Sequence, residues 1–202
     1  MQREEKSERS RRQVLDVALQ LFSHRGYRGT TVRDIAVAAG ISTGNVYHHF
    51  PDKESIFRSL LEEFWKITET KRYPFTRALA AGRFPDNIEE LGLAARDSVR
   101  EFRQYIALIY VDVIEFDGTH IRKFYGQLAS KYAGLLGQEA LDEMKDRMKP
   151  TVTPISAVLL TSRIFFNYFS IEILFNVPEP FGKDSVQIVH EIAEILRAGM
   201  LE

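Results

Sequence analysis

Apolar residues recur along this chain at the three- and four-residue spacing of helices, and no run shows strand-like alternation. The first predicted helix covers residues 10–24, and Gly26 is placed to end it. The other predicted helical stretches are residues 32–39, 43–49, 53–72, 88–116, 119–149, 155–177 and 185–200. A loop marked by Gly82 and Pro85 precedes the stretch at 88–116. The pattern therefore predicts an all-α protein.

Residues 31–49 predict two short helices joined by a tight turn. Thr31 and Asp34 have the spacing of a capping box at the start of the first helix. Gly40 can adopt the backbone conformation that such a turn needs, and Ser42 is suited to cap the second helix. The positions expected to face inward against the first helix are apolar: Ile35, Ile41 and Val46. This spacing favours a helix-turn-helix.

The outer face of the helix at 43–49 is polar, uncharged and aromatic. Its residues are Ser42, Thr43, Asn45, Tyr47 and His48. A plain helical hairpin would explain the turn but would not favour this face. A helix of this kind can enter the major groove of DNA, where its first residues reach base edges.

The segment Gly40–Phe57 resembles the DNA-binding signature of the tetracycline-repressor (TetR/AcrR) family. Its most specific parts are Tyr47-x-x-Phe50 and Lys53-Glu54, and the resemblance covers residues 9–60. It implies a three-helix helix-turn-helix DNA-binding domain, placed here at residues 1–52. A helical ligand-binding and dimerisation domain would follow at residues 53–202. The implied function is a sequence-specific transcription regulator, a dimeric repressor that a small, largely apolar ligand releases from a palindromic operator in double-stranded DNA.

The resemblance also implies roles for individual residues. Those that fall where family members approach bases are Arg33, Thr43, Gly44 and Asn45. Those that fall where family members hold phosphates are Thr31, Tyr47, His48 and Lys53. Gly44 either permits close approach to DNA or is an indifferent surface position. His48 and His49 point about 100° apart on a helix, which argues against a chelating pair, and no metal or cofactor is predicted.

The helix at 155–177 carries two opposed apolar stripes, which predicts burial on both sides. One side would pack on its own domain and the other, with the last helix, on a second copy of the chain. The predicted dimer interface is Phe166, Phe169, Ile173, Val189, Ile192 and Leu196. The alternative is that both stripes belong to the core of a layered helical domain.

Aromatic residues are frequent in the middle of the chain, and the resemblance suggests a small-molecule pocket there. The candidate pocket residues are Trp65, Arg103, Tyr110, Glu115 and Phe165. Two other functions remain open: a ligand-independent DNA-binding regulator, and an all-helical enzyme. No catalytic motif or cysteine nucleophile supports the enzyme, so the chain is not expected to be one.

Composition changes this picture little. The net charge is −1, but residues 1–50 hold eight Lys and Arg against five Asp and Glu, so the basic end is the one predicted to meet phosphate. The absence of cysteine suits a reducing cytoplasm, the expected location. The apolar helix at 155–177 contains Arg163 and Glu172, so it is interpreted as a buried helix with no role in a membrane.

Overall fold

The computed structural model describes residues 2–81 and 83–202, with side chains from residue 4 onward, so Gly82 of the predicted loop lies outside it. The helices among the described residues are α1 (Gln2–Arg25), α2 (Val32–Ala38), α3 (Thr43–His49), α4 (Lys53–Thr68), α5 (Pro74–Leu79), α6 (Ile88–Glu101), α7 (Arg103–Phe116), α8 (Arg122–Leu136), α9 (Gln138–Arg147), α10 (Pro154–Ile173) and α11 (Ser185–Met200). No strand is found in this part of the chain. The all-α prediction is confirmed.

Contacts divide the chain into two compact units. The first unit consists of residues 1–66 and 104–124, and the second of residues 67–103 and 125–202. The predicted boundary after residue 52 therefore falls inside the first unit. Most of α4, nearly all of α7 and the start of α8 pack with the predicted DNA-binding segment.

Several helix boundaries differ from the sequence prediction: α4 and α10 end four residues earlier than predicted, and the stretch at 119–149 is divided into α8 and α9. Helix α1 starts at Gln2, eight residues before the predicted start, and the apolar pattern does not indicate these turns because they carry no apolar stripe. Helix α5 begins at Pro74, a residue whose fixed φ suits the first turn, inside the region predicted as a loop. The stretch at 88–116 is two helices, since the backbone leaves helical geometry at Phe102 (φ −108°, ψ 24°).

The core of the first unit is built around aromatic rings from α1, the following loop and α4. Phe22 and Phe57 are fully buried, with ring centroids 5.6 Å apart. Tyr27 packs against both rings, and Phe116 at the end of α7 stacks on Phe57. The end of α7 thus completes the core beneath the first three helices.

The second unit has its core where α6, α10 and α11 meet. Phe165 and Phe169 of α10 are fully buried, and Val189 of α11 is 2% exposed. Gly92 of α6 lies so close to them that an added Cβ would stand 2.8 Å from the Phe165 ring and 2.7 Å from Val189. These helices approach each other closely because α6 has no side chain at that position.

Among the described residues, no helix combines the length and the apolarity needed to cross a membrane.

Candidate nucleic-acid interface

Helix α2 begins with the predicted capping box. The Thr31 hydroxyl accepts the Asp34 N–H at 3.1 Å and donates its own proton to Asp34 Oδ2 at 2.6 Å. The Thr31 N–H donates to the same carboxylate oxygen at 2.8 Å. These hydrogen bonds lower the pKa of Asp34. The box fixes where α2 starts and therefore where the exposed Arg33 in its first turn is placed.

The turn between α2 and α3 is closed by backbone hydrogen bonds. The Ile41 N–H donates to Ala36 O at 3.0 Å, and Gly40 adopts a φ of +66°. Ser42 then caps α3 by accepting the Asn45 N–H at 3.2 Å. Ile35 and Val46 are buried, as the inward pattern predicts, and Ile41 is half-buried.

Helix α3 turns its polar side outward. Thr43, Gly44 and His48 are exposed, Tyr47 is 54% exposed, and Asn45 is half-buried. A short helix with its apolar residue buried and these side chains free can be inserted into a groove as wide as the major groove.

The side chain of Lys53, at the start of α4, contacts the loop between α1 and α2. Its ammonium donates to Tyr27 O at 2.8 Å and to Thr30 O at 2.7 Å, and lies 4.0 Å from the centroid of the Tyr27 ring. Burial lowers the pKa of Lys53, and the nearby Glu115 carboxylate opposes that shift. An ammonium has three N–H donors, so a third remains for another acceptor.

Glu115 of α7 holds the same loop from the other side. Its carboxylate accepts the Tyr27 N–H at 2.9 Å and the Arg28 N–H at 2.6 Å. The Arg28 guanidinium also lies near this carboxylate, at 3.9 Å. The loop that leads into α2 is therefore fixed by a cation of α4 and an anion of α7.

A second polar cluster joins α7 to α4 in this unit. Asp112 is fully buried and accepts hydrogen bonds from the His120 and Ile121 N–H groups, both at 3.2 Å. His120 Nδ1 lies 2.5 Å from Asp112 Oδ1, and its Nε2 lies 3.3 Å from Glu54 Oε1. The sequence gives no sign of this cluster, because Asp112 and His120 match no motif and Glu54 lies 66 positions from His120.

Comparison with known proteins decides what this segment is. Residues 14–60 match the family model described as bacterial regulatory proteins, tetR family. Over 54 residues the chain is 56% identical to the HTH-type transcriptional repressor KstR2 of Rhodococcus jostii, covering 27% of this chain and 26% of that protein. Over 66 residues it is 39% identical to the HTH-type transcriptional regulator AcrR of Shigella flexneri, covering 33% and 29%.

Residues 14–60 therefore form a segment that matches the TetR family, the TetR-family segment of this chain. The chain spans between a quarter and a third of the length of these curated relatives. Both are named as transcriptional regulators, in agreement with the expectation that the chain is not an enzyme.

The likeness in fold extends further. The structure of NalD from Pseudomonas aeruginosa, described as the secondary repressor of the MexAB-OprM multidrug efflux pump, superposes with a TM-score of 0.67 at 22% identity, over 98% of both chains. At that level of identity the match establishes the fold alone. The helical arrangement of that structure therefore extends over nearly the whole chain.

The TetR-family segment ends before several residues that complete the first unit. Residues 61–66 and 104–124, which include Asp112 and Glu115, lie beyond the match at 14–60. At the other end, the first turns of α1 precede it. The family pattern therefore accounts for the helix-turn-helix but not for the contacts that hold it from α7.

The residues predicted to contact phosphates differ in whether their side chains are already hydrogen-bonded within the protein. Tyr47 and His48 are exposed. The Thr31 hydroxyl already donates to Asp34, and Lys53 already serves two carbonyls. The ring centroids of His48 and His49 are 5.2 Å apart, and no group of three potential metal ligands occurs among the described residues.

The predicted pocket residues divide between the two units. In the first, Trp65 stacks on Phe124 at 3.9 Å, Tyr110 is 36% exposed and Glu115 is bound to the loop. In the second, Arg103 is exposed and Phe165 is fully buried.

The predicted dimer interface requires a correction. Phe169, Val189 and Ile192 are buried inside their own unit, so they have no surface left to offer a second copy. Phe166, Ile173 and Leu196 are half-buried. The large apolar residues that α10, α11 and the segment between them expose are Leu160, Ile164, Phe175, Val177, Phe181, Val186 and Ile195. The buried face of α10 does not coincide with either predicted stripe, since it combines Phe169 of one stripe with Ala157 and Tyr168 of the other.

Proposed function

We propose that the protein is a sequence-specific DNA-binding transcription regulator, which acts as a dimeric repressor and is released from DNA by a small, largely apolar ligand. The observation that carries the proposal is the geometry of α3, a capped helix after a tight turn that buries Val46 and exposes Tyr47 and His48 in a TetR-family segment. DNA is the partner that fits such a surface, so the proposed place of action is the cytoplasm.

Selection of bound sequences from random duplex DNA tests this function. We expect a palindromic consensus, since a two-fold symmetric dimer presents two α3 helices to two half-sites. Replacement of Asn45 by Ala should change which sequence is preferred, because Asn contacts base edges. Replacement of Tyr47 by Phe should weaken binding to all sequences alike, as loss of a phosphate contact does. A wild-type protein that enriches no sequence would overturn the proposal.

Lys53 is proposed to act on DNA in two ways. Its hydrogen bonds to Tyr27 O and Thr30 O shape the loop in front of α2, and its remaining N–H is available for a phosphate. The Lys53→Met variant has a side chain of similar length without the charge, so we expect weaker binding to every DNA sequence. If the DNA affinity of this variant has the same salt dependence as that of the wild type, Lys53 contacts no phosphate and acts only through the loop.

A dimer is proposed to form through the exposed apolar side chains of α10 and α11. Leu160 is 55% exposed and Ile195 is 66% exposed, and a charge at these positions should prevent a second copy from packing there. Sedimentation velocity at micromolar concentration should show a dimer for the wild type and a monomer for Leu160→Glu/Ile195→Glu. Ile114→Glu on α7, at an apolar position that is 75% exposed, is the control and should stay dimeric.

An apolar effector is supported by the aromatic residues of the second unit. Phe166 of α10 packs 5.1 Å from Phe75, and Tyr73 packs 5.2 Å from Phe102, measured between ring centroids. Burial raises the pKa of Tyr132 to about 12, so its hydroxyl stays a hydrogen-bond donor at neutral pH. Thr161 is fully buried, and its hydroxyl has no partner among the described residues. Apolar walls with a few hydroxyls are typical of small-molecule sites.

The test of the effector uses compounds of graded polarity. Androstenedione and oleate, with glycerol as the polar control, are added to the protein–DNA complex and to the free protein. A ligand that binds the folded chain raises its melting temperature. A ligand that favours a conformation other than the DNA-binding one lowers the affinity for DNA. Both changes with the apolar compounds support the proposal, whereas a DNA affinity independent of every compound favours a ligand-independent regulator.

The proposed route from ligand to DNA uses α7. Its residue Glu115 holds the Tyr27 and Arg28 amides, and these lie in the loop that leads to the α2 cap. A ligand that favours a displaced α7 would move this loop and with it the helix-turn-helix, and the two α3 helices of a dimer would no longer match the half-sites.

A further inference from the structure

An open groove of about 600 Å³ lies beside α3 in the first unit. One wall is the face of α1 that carries Lys6, Arg9 and Gln13, and the other is the face of α3 that carries Asn45 and His48. The groove is therefore continuous with the side chains that are proposed to contact DNA.

The first turns of α1 contribute nothing to the core. Residues 4–9 are all exposed, and the apolar face of the helix begins only at Val14. Ordering these residues costs conformational entropy that no buried apolar surface offsets. A helix that extends in this way beside α3 is better explained by a partner at its surface than by packing.

The two cations of this wall are free to meet a partner. Lys6 and Arg9 are exposed, and neither forms an ion pair with any side chain that the structure describes. The neighbouring arginines are used inside the protein, since Arg12 donates to Asp16 and Glu63 and Arg11 lies over the Phe50 ring. One carboxylate, Glu5, also lines the groove and reduces its positive charge.

We infer that this groove holds the sugar–phosphate backbone of the duplex that α3 enters, with Lys6 and Arg9 contacting phosphates outside the family segment. The inference rests on the proposed function. Unpaired cations beside a helix that inserts into a groove are placed to meet the strand that borders that groove, and contacts of this kind add affinity without adding sequence information.

The Lys6→Ala/Arg9→Ala variant tests the inference. Alanine preserves helix propensity, so α1 should remain folded by circular dichroism. On the duplex obtained by selection, we expect binding to weaken about ten-fold near 0.15 M salt, and the slope of log affinity against log salt to fall by about 1 for each contact removed. The order of preference among sequences should not change.

Two controls separate a local contact from a general loss of charge. Lys71→Ala/Arg72→Ala removes the same charge from exposed positions in the second unit and should leave the slope unchanged. Glu5→Gln should tighten binding, because it removes the carboxylate that lines the groove, and Glu8→Gln, outside the groove, should do so less.

The outcomes distinguish this inference from the proposed function. If the wild type selects no sequence, the proposed function fails and this inference fails with it. If the wild type selects a consensus and the Lys6/Arg9 variant binds it with the same affinity and slope, the function stands and the groove is not a phosphate site. Equal losses in the Lys71/Arg72 control would also overturn the inference.

Discussion

The two units differ in how far apart along the chain their organising contacts lie. In the helix-turn-helix, the decisive hydrogen bonds join residues three positions apart, as in Thr31 with Asp34 and Ser42 with Asn45. In the second unit, a close approach joins Gly92 of α6 to Phe165 and Val189, more than seventy residues away. Local signals recur at fixed spacing and can be recognised in a sequence, whereas close packing between distant helices cannot.

The first unit does not depend on local signals alone. The segment 104–124 belongs to it, and Glu115 and Asp112 connect α7 to the α1–α2 loop and to the start of α8. Part of the first unit's stability should therefore come from these distant contacts. Single substitutions can measure that part, because the only tryptophan of the chain, Trp65, lies in the first unit and reports its unfolding.

The largest effect is expected from Glu115→Ala. The substitution leaves the Tyr27 and Arg28 N–H groups without their acceptor, and we expect a loss of about 2–3 kcal/mol in the free energy of unfolding. Urea unfolding followed by Trp65 fluorescence measures it. Glu62→Ala removes a carboxylate from an exposed position of α4 and should cost a few tenths of a kcal/mol at most. Equal transitions for the two variants would show that α7 does not support the loop.

Gly92→Ala should have the next largest effect, in the second unit. The new Cβ would stand within 2.9 Å of the fully buried Phe165 ring, and the resulting overpacking costs about 1–3 kcal/mol, against a gain of about 1 kcal/mol in helix propensity. We expect a net loss, seen as a lower melting temperature by circular dichroism. Gly126→Ala in α8 is the matched control, because its Cβ would meet nothing within 4 Å and should raise stability.

These two variants also show why the sequence predicted some features and missed others. The positions of α2, the turn at Gly40 and α3 follow from caps and glycine placed at fixed spacing. The break at Phe102 is marked by no proline or glycine, and what accompanies it is a contact with a distant residue, the ring of Tyr73. The contacts of Glu115 depend on partners more than eighty positions away. Those of Asp112 depend on a turn that no sequence motif marks.

Gly44→Ala separates folding from DNA contact within α3. A Cβ at Gly44 would have only the Ser42 hydroxyl nearby, at 3.8 Å, so the free protein has room for alanine. Helix propensity should then raise the free energy of unfolding by up to about 1 kcal/mol. If glycine permits close approach to DNA, the same variant should bind its selected duplex more weakly. Tighter folding with unchanged DNA affinity would instead identify Gly44 as an indifferent surface position.

The smallest effect is a pH dependence at the end of α3. Burial, followed by the charges of His48 and Arg11, lowers the pKa of His49. A histidine whose pKa is lower in the folded than in the unfolded chain takes up protons on unfolding, so it makes the protein less stable as the pH falls below about 6.5, the ordinary pKa of histidine. The effect is absent well above that pH, where His49 is neutral in both states. His49→Gln cannot take up the proton, and its unfolding free energy should fall less than that of the wild type between pH 8 and pH 5.5. Parallel profiles of unfolding free energy against pH for the two proteins would mean that burial does not lower the pKa of His49.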